Sequence, residues 1–165
     1  MSSKRQLPYQ DSPVPVDRTK LQIEDLLAKA GATAVRWTTS TKERPLIEFI
    51  VSTSIEGVHR EIGFRIRVPA LVMAKGGEKI VNERASWRLV YYWLKAKLEA
   101  VRFGMQPIEQ ELLAQMILAL PDGKGNIVST TAGEEVVKEI TRPGKKHLLP
   151  TFDIKYQELP EGDSE

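Results

Sequence analysis

The sequence contains no cysteine and only two histidines, His59 and His147. The missing cysteines exclude disulfide bonds, thiolate nucleophiles and zinc–thiolate sites, and they favour a reducing cytoplasm. The two histidines are far apart in the chain, and neither lies near a Gly-x-Ser-x-Gly turn. A serine or threonine nucleophile would therefore lack its base and its orienting group. The sequence predicts no nucleophilic active site.

Long apolar runs are also missing. No stretch approaches the roughly 20 apolar residues that a membrane span needs, and the first residues lack the apolar core of a signal peptide. The net charge is only +2. A hypothesis of nucleic-acid binding must therefore depend on where the cations lie, because their total number is ordinary. We expect a protein of the cytoplasm with no membrane partner.

Carboxylates that could hold a catalytic metal are sparse. Glu48, Glu56 and Glu61 lie on or near predicted strands, but no Asp accompanies them and no Glu-x-Lys lies on a strand. We interpret them as solvated strand residues. The Asp-Gly-Lys-Gly of residues 122–125 lacks the spacing of a phosphate-binding loop and predicts a turn. We expect a non-enzyme with no catalytic residues, no metal and no cofactor.

The central feature is an uninterrupted stretch of residues 82–103, which has no Gly or Pro. Asn82 is a suitable N-cap, and Gly104 is placed to end the helix. Its apolar residues form two helical stripes. The first contains Trp87, Val90, Tyr91, Leu94, Leu98 and Val101, and the second contains Leu89, Tyr92, Trp93, Ala96, Ala100 and Phe103. We expect both stripes to be buried, and their aromatic rings to belong to the core rather than to a base-stacking surface.

A first helix is predicted over Arg18–Ala30, followed by strands at residues 33–39, 46–53 and 58–68. The short connections indicate an antiparallel meander with one face open to solvent. Residues 70–81 are expected to be a flexible loop. A helix from Pro107 to about Leu120 should follow.

A last helix should follow the capping box of Thr131 and Glu134. The predicted fold class is α+β, with an N-terminal helix, a three-stranded antiparallel meander, a long central helix and two further C-terminal helices. We expect a flexible N-terminal arm over residues 1–15, a single domain over 16–150 and an acidic C-terminal tail over 151–165.

Residues 84–123 carry the string RASWRLVYYWLKAKLEAVRFGM and, further on, IEQELLAQMILALPDG. These resemble a family of short, uncharacterised proteins of tailed bacteriophages and prophages, whose pattern is R..RWR....IKAKLEAVE.G and then LPDG. The layout resembles that family over roughly residues 14–150. Two tyrosines and a second tryptophan in the helix depart from the pattern. The resemblance brings no assigned activity, and it implies a viral origin and action in a bacterial host.

Basic residues are the clearest functional signal. Strand alternation should place Arg36, Arg65 and Arg67 on the outer face of the sheet. Helical spacing should place a second set on a polar ridge of the central helix, and two lysines lie in the preceding loop. The candidate nucleic-acid-binding residues are Arg36, Arg65, Arg67, Lys75, Lys79, Arg84 and Arg88. Arginine suits bidentate phosphate contacts. The alternative is an ordinary charged surface, neutralised by Glu48, Glu61 and Glu99.

Three functions follow from these observations. The first is a non-enzymatic phage accessory protein that binds nucleic acid, DNA in preference to RNA. The second is an anti-defence protein that binds and inhibits a host component, either a defence protein or a signalling nucleotide. The third is a divergent nuclease. Assembly into a homo-oligomer is compatible with all three.

Overall fold

Two helices packed on one face of a three-stranded sheet form the core of the computed structural model, which describes residues 9–40, 42–75 and 77–142. Residues 1–8 of the predicted arm, the end of the predicted domain at 143–150 and the acidic tail at 151–165 lie outside the described residues. The predicted α+β fold class is confirmed in its order of elements.

Helix α1 spans Val16–Lys29. It begins directly after Pro15, two residues before the predicted start at Arg18, and the Thr19 hydroxyl donates to the carbonyl of Pro15 at 3.2 Å. Ile23 and Leu27 are completely buried. Gly31, with a φ of +86°, turns the chain into the sheet, a conformation that glycine adopts without the steric cost of a Cβ.

The sheet contains β1 (Ala32–Thr38), β2 (Leu46–Ile55) and β3 (Val58–Arg67) in that spatial order, all antiparallel. Glu56 and Gly57 both have positive φ, so they form the two-residue turn that suits a tight hairpin. The inner face carries the buried residues Ile47, Phe49, Val51, Phe64 and Ile66. The predicted meander is confirmed.

Helix α2 spans Glu83–Arg102, and the side chain of Asn82 accepts a hydrogen bond from Ala85 N–H, as predicted for the cap. Most of the first stripe is buried against the sheet and α1. The prediction that the second stripe is also buried is wrong. Trp93 is only half-buried, and Phe103 is 78% exposed. The sheet and α1 cover one side of α2, and the elements after it cover little of the other.

Residues 70–81 are not a loop. They contain the hairpin of β4 (Val72–Lys75) and β5 (Glu78–Val81), and these two strands pair only with each other in the described chain. The root of the hairpin is fixed to α2, since Asn82 N–H donates to Leu71 O at 2.7 Å and Leu71 N–H donates to the Ser86 hydroxyl at 3.1 Å.

The predicted helix from Pro107 to Leu120 is wrong beyond its first turn. Helix α3 is only Ile108–Glu111, a 3-10 turn follows over Leu113–Gln115, and β6 (Ile117–Pro121) pairs with β7 (Ile127–Thr131). The hairpin satisfies the backbone groups that a helix would have satisfied internally. Helix α4 (Ala132–Thr141) begins at the predicted capping box. We call β6, β7 and α4 the C-terminal unit.

The outer face of the sheet is open to solvent over much of its area, as expected, but it is covered near Gly63 and Arg65. Met116 forms an isolated antiparallel bridge with Phe64 of β3, and β6 then lies over the outer face. A Cβ built on Gly63 would be 3.3 Å from Cδ1 of Ile117, so the small residue allows this close approach. The C-terminal unit therefore covers the part of the sheet that carries two of the candidate arginines.

Candidate nucleic-acid interface

Glu48 lies between two of the candidate arginines on the outer face of the sheet. The strand register sets Glu48 directly opposite Arg36 on one side and Arg65 on the other. Arg36 Nη2 is 2.5 Å from Glu48 Oε2, and Arg65 Nη2 is 2.9 Å from Glu48 Oε1. The carboxylate is buried. Burial by itself raises the pKa of Glu48, but the hydrogen bonds and charges of both arginines outweigh it and hold the pKa below its ordinary value.

The guanidinium group of Arg65 makes most of its hydrogen bonds within the protein. Besides Glu48, it donates to the hydroxyl of Ser129 at 2.9 Å and towards the Ser129 carbonyl at 3.4 Å. Its side chain is only 14% exposed. It therefore joins the sheet to β7 and has little capacity left for a phosphate. Arg36 differs, because its side chain remains 73% exposed despite the contact with Glu48.

Arg67 is paired with Glu134 of α4 at 3.2 Å, and its side chain is 51% exposed. Glu134 is held mainly by the backbone of its own helix cap. The Thr131 N–H, the Thr130 hydroxyl and Arg67 donate to it, and together they lower its pKa although partial burial opposes the shift. Arg67 thus has one acidic neighbour that is already well bonded, and it keeps exposed donors.

Arg88 does not lie on an exposed ridge, and that prediction is wrong. Its side chain is buried, and it donates to the Gln22 amide oxygen at 2.6 Å and to the Tyr92 hydroxyl at 2.9 Å. The guanidinium also lies 4.5 Å from the ring centroid of Tyr91, within the range of a cation–π contact. Arg88 therefore connects α1 and α2 and is not available to a polyanion.

The remaining candidates lie at the β4–β5 hairpin and the first turn of α2. The register sets Lys75 opposite Glu78, and Lys79 opposite Ala74. Lys79 and Arg84 are exposed, and no ion pair to either is found within the described ranges. Among the candidates whose side chains are described, these two are the ones with no ion pair to a described residue.

The seven candidates therefore do not share one surface. They divide into the outer face of the sheet, the buried α1–α2 contact and the hairpin end of the molecule. Among the acidic residues expected to neutralise the candidates, Glu48 pairs with Arg36 and Arg65. Glu99 instead lies 3.7 Å from Lys95, which is not a candidate. Their roles in binding remain predictions.

A feature that the sequence reasoning missed is the β4–β5 hairpin. A signal was present, since Gly76-Gly77 is a typical two-residue hairpin connection with β-branched residues on both sides. The contacts of Arg65 with Ser129 and of Arg67 with Glu134 had no local signal, because they join residues more than 60 positions apart.

Two further observations concern chemistry and location. No group of three or more His, Asp or Glu side chains that could hold a metal ion occurs among the residues the structure describes. No helix in the described part of the chain is both long enough and apolar enough to cross a membrane.

Comparison with known proteins gives no relative. No protein-family model, no curated protein and no solved structure matches the chain significantly.

Proposed function

We propose that the chain is a non-enzymatic accessory protein that binds nucleic acid through the β4–β5 hairpin and the start of α2. The observation that carries this proposal is the position of Lys79 and Arg84. Both are exposed without an ion pair in the described ranges, on and beside a ribbon that pairs with no other described strand. Cations of this kind can neutralise backbone phosphates without first breaking an internal contact.

The shape of the hairpin favours DNA over RNA. A two-stranded β-ribbon fits the major groove of B-form DNA, whereas the major groove of A-form RNA is too narrow and deep for side chains to read. The resemblance to short phage proteins supports an accessory role in phage DNA metabolism, carried out in the cytoplasm of the bacterial host.

A direct test measures binding of a fluorescently labelled 20-base-pair duplex by anisotropy over a range of salt concentrations. The double variant Lys79→Ala with Arg84→Ala should bind more weakly to every sequence. Because each lost phosphate contact removes about 0.9 from the slope of log K against log salt, the slope should flatten by about two.

Arg102→Ala is a matched control, since Arg102 is an exposed arginine at the opposite end of the same helix. Its binding should equal that of the parent protein. If the parent does not bind duplex at low salt, or if the control loses as much affinity as the double variant, the proposal fails.

A second candidate function, binding to a host protein, is favoured by the exposed apolar side chains of the C-terminal unit. Val136, Val137 and Ile140 of α4 are 58%, 58% and 62% exposed, and Ile127 of β7 is 69% exposed. Apolar patches of this kind are a mark of protein-interaction surfaces. A stable complex with a host defence protein, together with no binding of duplex, would favour this candidate. The small-molecule alternative, a signalling nucleotide, has no comparable observation.

A further inference from the structure

One edge of β3 is largely unpaired. β2 occupies the other edge along the whole strand, whereas the free edge has, among the described residues, only the bridge between Phe64 and Met116. From this bridge towards the C-terminal end of β3, the residues of the 3-10 turn form no further bridge with the strand. Ile66 and Arg67 therefore lie on a short open stretch of strand edge.

The register determines which backbone groups face that edge. The two-residue turn at Glu56-Gly57 makes Ile55 and Val58 a hydrogen-bonded pair. Hydrogen-bonded and non-hydrogen-bonded pairs then alternate along the ladder. Phe64 and Ile66 consequently direct their N–H and C=O groups to β2. Arg65 and Arg67 direct theirs to the other edge. There the bridge of Phe64 with Met116 already uses the N–H of Arg65, so the groups that stay open are those of Arg67.

A cleft of about 470 Å³ lies along this edge. Its walls come from three parts of the molecule: the end of β3, one side of α2 and the C-terminal elements. The lining residues that matter here are Arg67, Pro69, Leu89, Trp93, Gln115 and Glu134. The half-buried Leu89 and Trp93 belong to the second stripe of α2, which the sheet and α1 leave uncovered. The cleft therefore combines an open strand edge with an apolar wall.

The charge of the cleft differs between its two sides. On the inner side Leu89 and Trp93 present apolar surface. On the outer side the Arg67 guanidinium is 51% exposed, and a single nitrogen contacts Glu134 at 3.2 Å. In a strand added beside β3, successive side chains would alternate between these two sides. Apolar residues would then contact α2, and acidic residues would reach Arg67.

We propose that this cleft binds an extended peptide segment of a partner protein, in which apolar and acidic residues alternate. The segment adds as a strand to the open end of the β3 edge, so its backbone bonds to the outward N–H and C=O of Arg67. Its acidic side chains pair with Arg67. Main-chain bonds supply affinity and the alternating side chains supply specificity in this mode of recognition. The site is separate from Lys79 and Arg84, so it does not depend on duplex binding.

The test uses the full chain and two fluorescein-labelled hexapeptides, one alternating Val with Asp and the other alternating Val with Lys. Anisotropy should show that the acidic peptide binds at least about tenfold more tightly than the basic one, since the charge pair with Arg67 is inverted in the second. Arg67→Glu should remove this preference. Equal binding of the two peptides, or no binding of the acidic one, would overturn the proposal.

Two further variants separate the contribution of the Arg67 backbone from that of its side chain. Arg67→Ala removes the guanidinium and keeps the N–H, whereas Arg67→Pro removes both. Because that N–H points away from β2, proline there costs no ladder hydrogen bond within the sheet. We expect Arg67→Pro to bind about tenfold more weakly than Arg67→Ala, as a lost main-chain bond implies. Equal affinities of the two variants would exclude strand addition.

Leu89→Ala tests the apolar wall independently and should weaken the acidic peptide severalfold. Arg60→Glu, an exposed arginine at the other end of β3, is the control and should leave binding unchanged. Circular dichroism melting verifies that each variant is folded. If sedimentation shows that the peptide-free protein dimerises and that Arg67→Pro abolishes the dimer, a second copy occupies the edge and the proposal fails.

Discussion

The core of the protein and its C-terminal unit are held together by different forces. In the core, formed by α1, the three-stranded sheet and α2, the side chains of Ile23, Leu27, Ile47, Phe64 and Leu94 have no exposed surface at all. In the C-terminal unit, all of which is described, the only buried residues are Thr130 and Thr131. Apolar burial is the main stabilising term in folding, so most of the stability should come from the core.

The C-terminal unit is attached to the core mainly by polar and steric contacts. Arg65 reaches Ser129, Arg67 reaches Glu134, and Gly133 lies against Ala114. Each polar contact is only partly buried, and such contacts contribute modestly. Damage to the core should therefore unfold the whole chain, whereas damage to the attachment should loosen the C-terminal unit alone.

The largest effect should come from Leu94→Ala. Leu94 is completely buried where α2 meets the sheet, so its removal should lower the free energy of unfolding by about 3–5 kcal/mol. Leu113→Ala, the same substitution at a 55% exposed position beside the C-terminal unit, should cost less than about 1 kcal/mol. Urea denaturation followed by tryptophan fluorescence measures both. Equal losses would contradict the view that apolar burial in the core supplies most of the stability.

An intermediate effect is expected from Glu48→Gln. The change leaves the largely buried Arg65 without its charged partner and should cost about 1–3 kcal/mol at neutral pH. Glu61 is an exposed residue of β3 on the same outer face of the sheet. Glu61→Gln should therefore leave the free energy of unfolding nearly unchanged. Urea denaturation at pH 7 compares the two variants.

The same substitution predicts a dependence on pH. Folding lowers the pKa of Glu48, so its stabilising contribution is present above the unfolded pKa of about 4.3 and is lost as the pH falls through the lower folded value. The difference in unfolding free energy between the parent and Glu48→Gln should therefore shrink as the pH falls below about 4. A difference that grows in acid would show that Glu48 is not held ionised by Arg36 and Arg65.

The smallest effect should come from Gly133→Ala, and it should be local. An added Cβ would lie 2.9 Å from the backbone oxygen of Ala114, so α4 must shift. The clash should outweigh the gain of up to about 1 kcal/mol that alanine gives in a helix. Hydrogen exchange should accelerate in residues 117–141 with little change in the core. Gly123→Ala, which meets no atom within 4 Å, is the control and should change exchange in neither region.

The sequence alone determined the elements whose patterns are local. The alternation in β3, the two-residue turn before it, the cap at Asn82 and the capping box of Thr131 and Glu134 each depend on residues a few positions apart. Such signals act before any tertiary contact forms, and they agree with the final fold. This is why the α+β class and the order of its elements could be predicted.

Only the tertiary structure determined which charged side chains are paired and which apolar segments form strands. Periodicity gave the correct sheet face for Arg36, Arg65 and Arg67, but it could not show that Glu48 pairs with the first two or that Glu134 reaches the third. Likewise, the apolar run at Ile117–Leu120 satisfies a helical spacing and a strand equally well. Pairing with β7 resolves the ambiguity. A contact between distant residues depends on how the elements pack, and no local pattern specifies that packing.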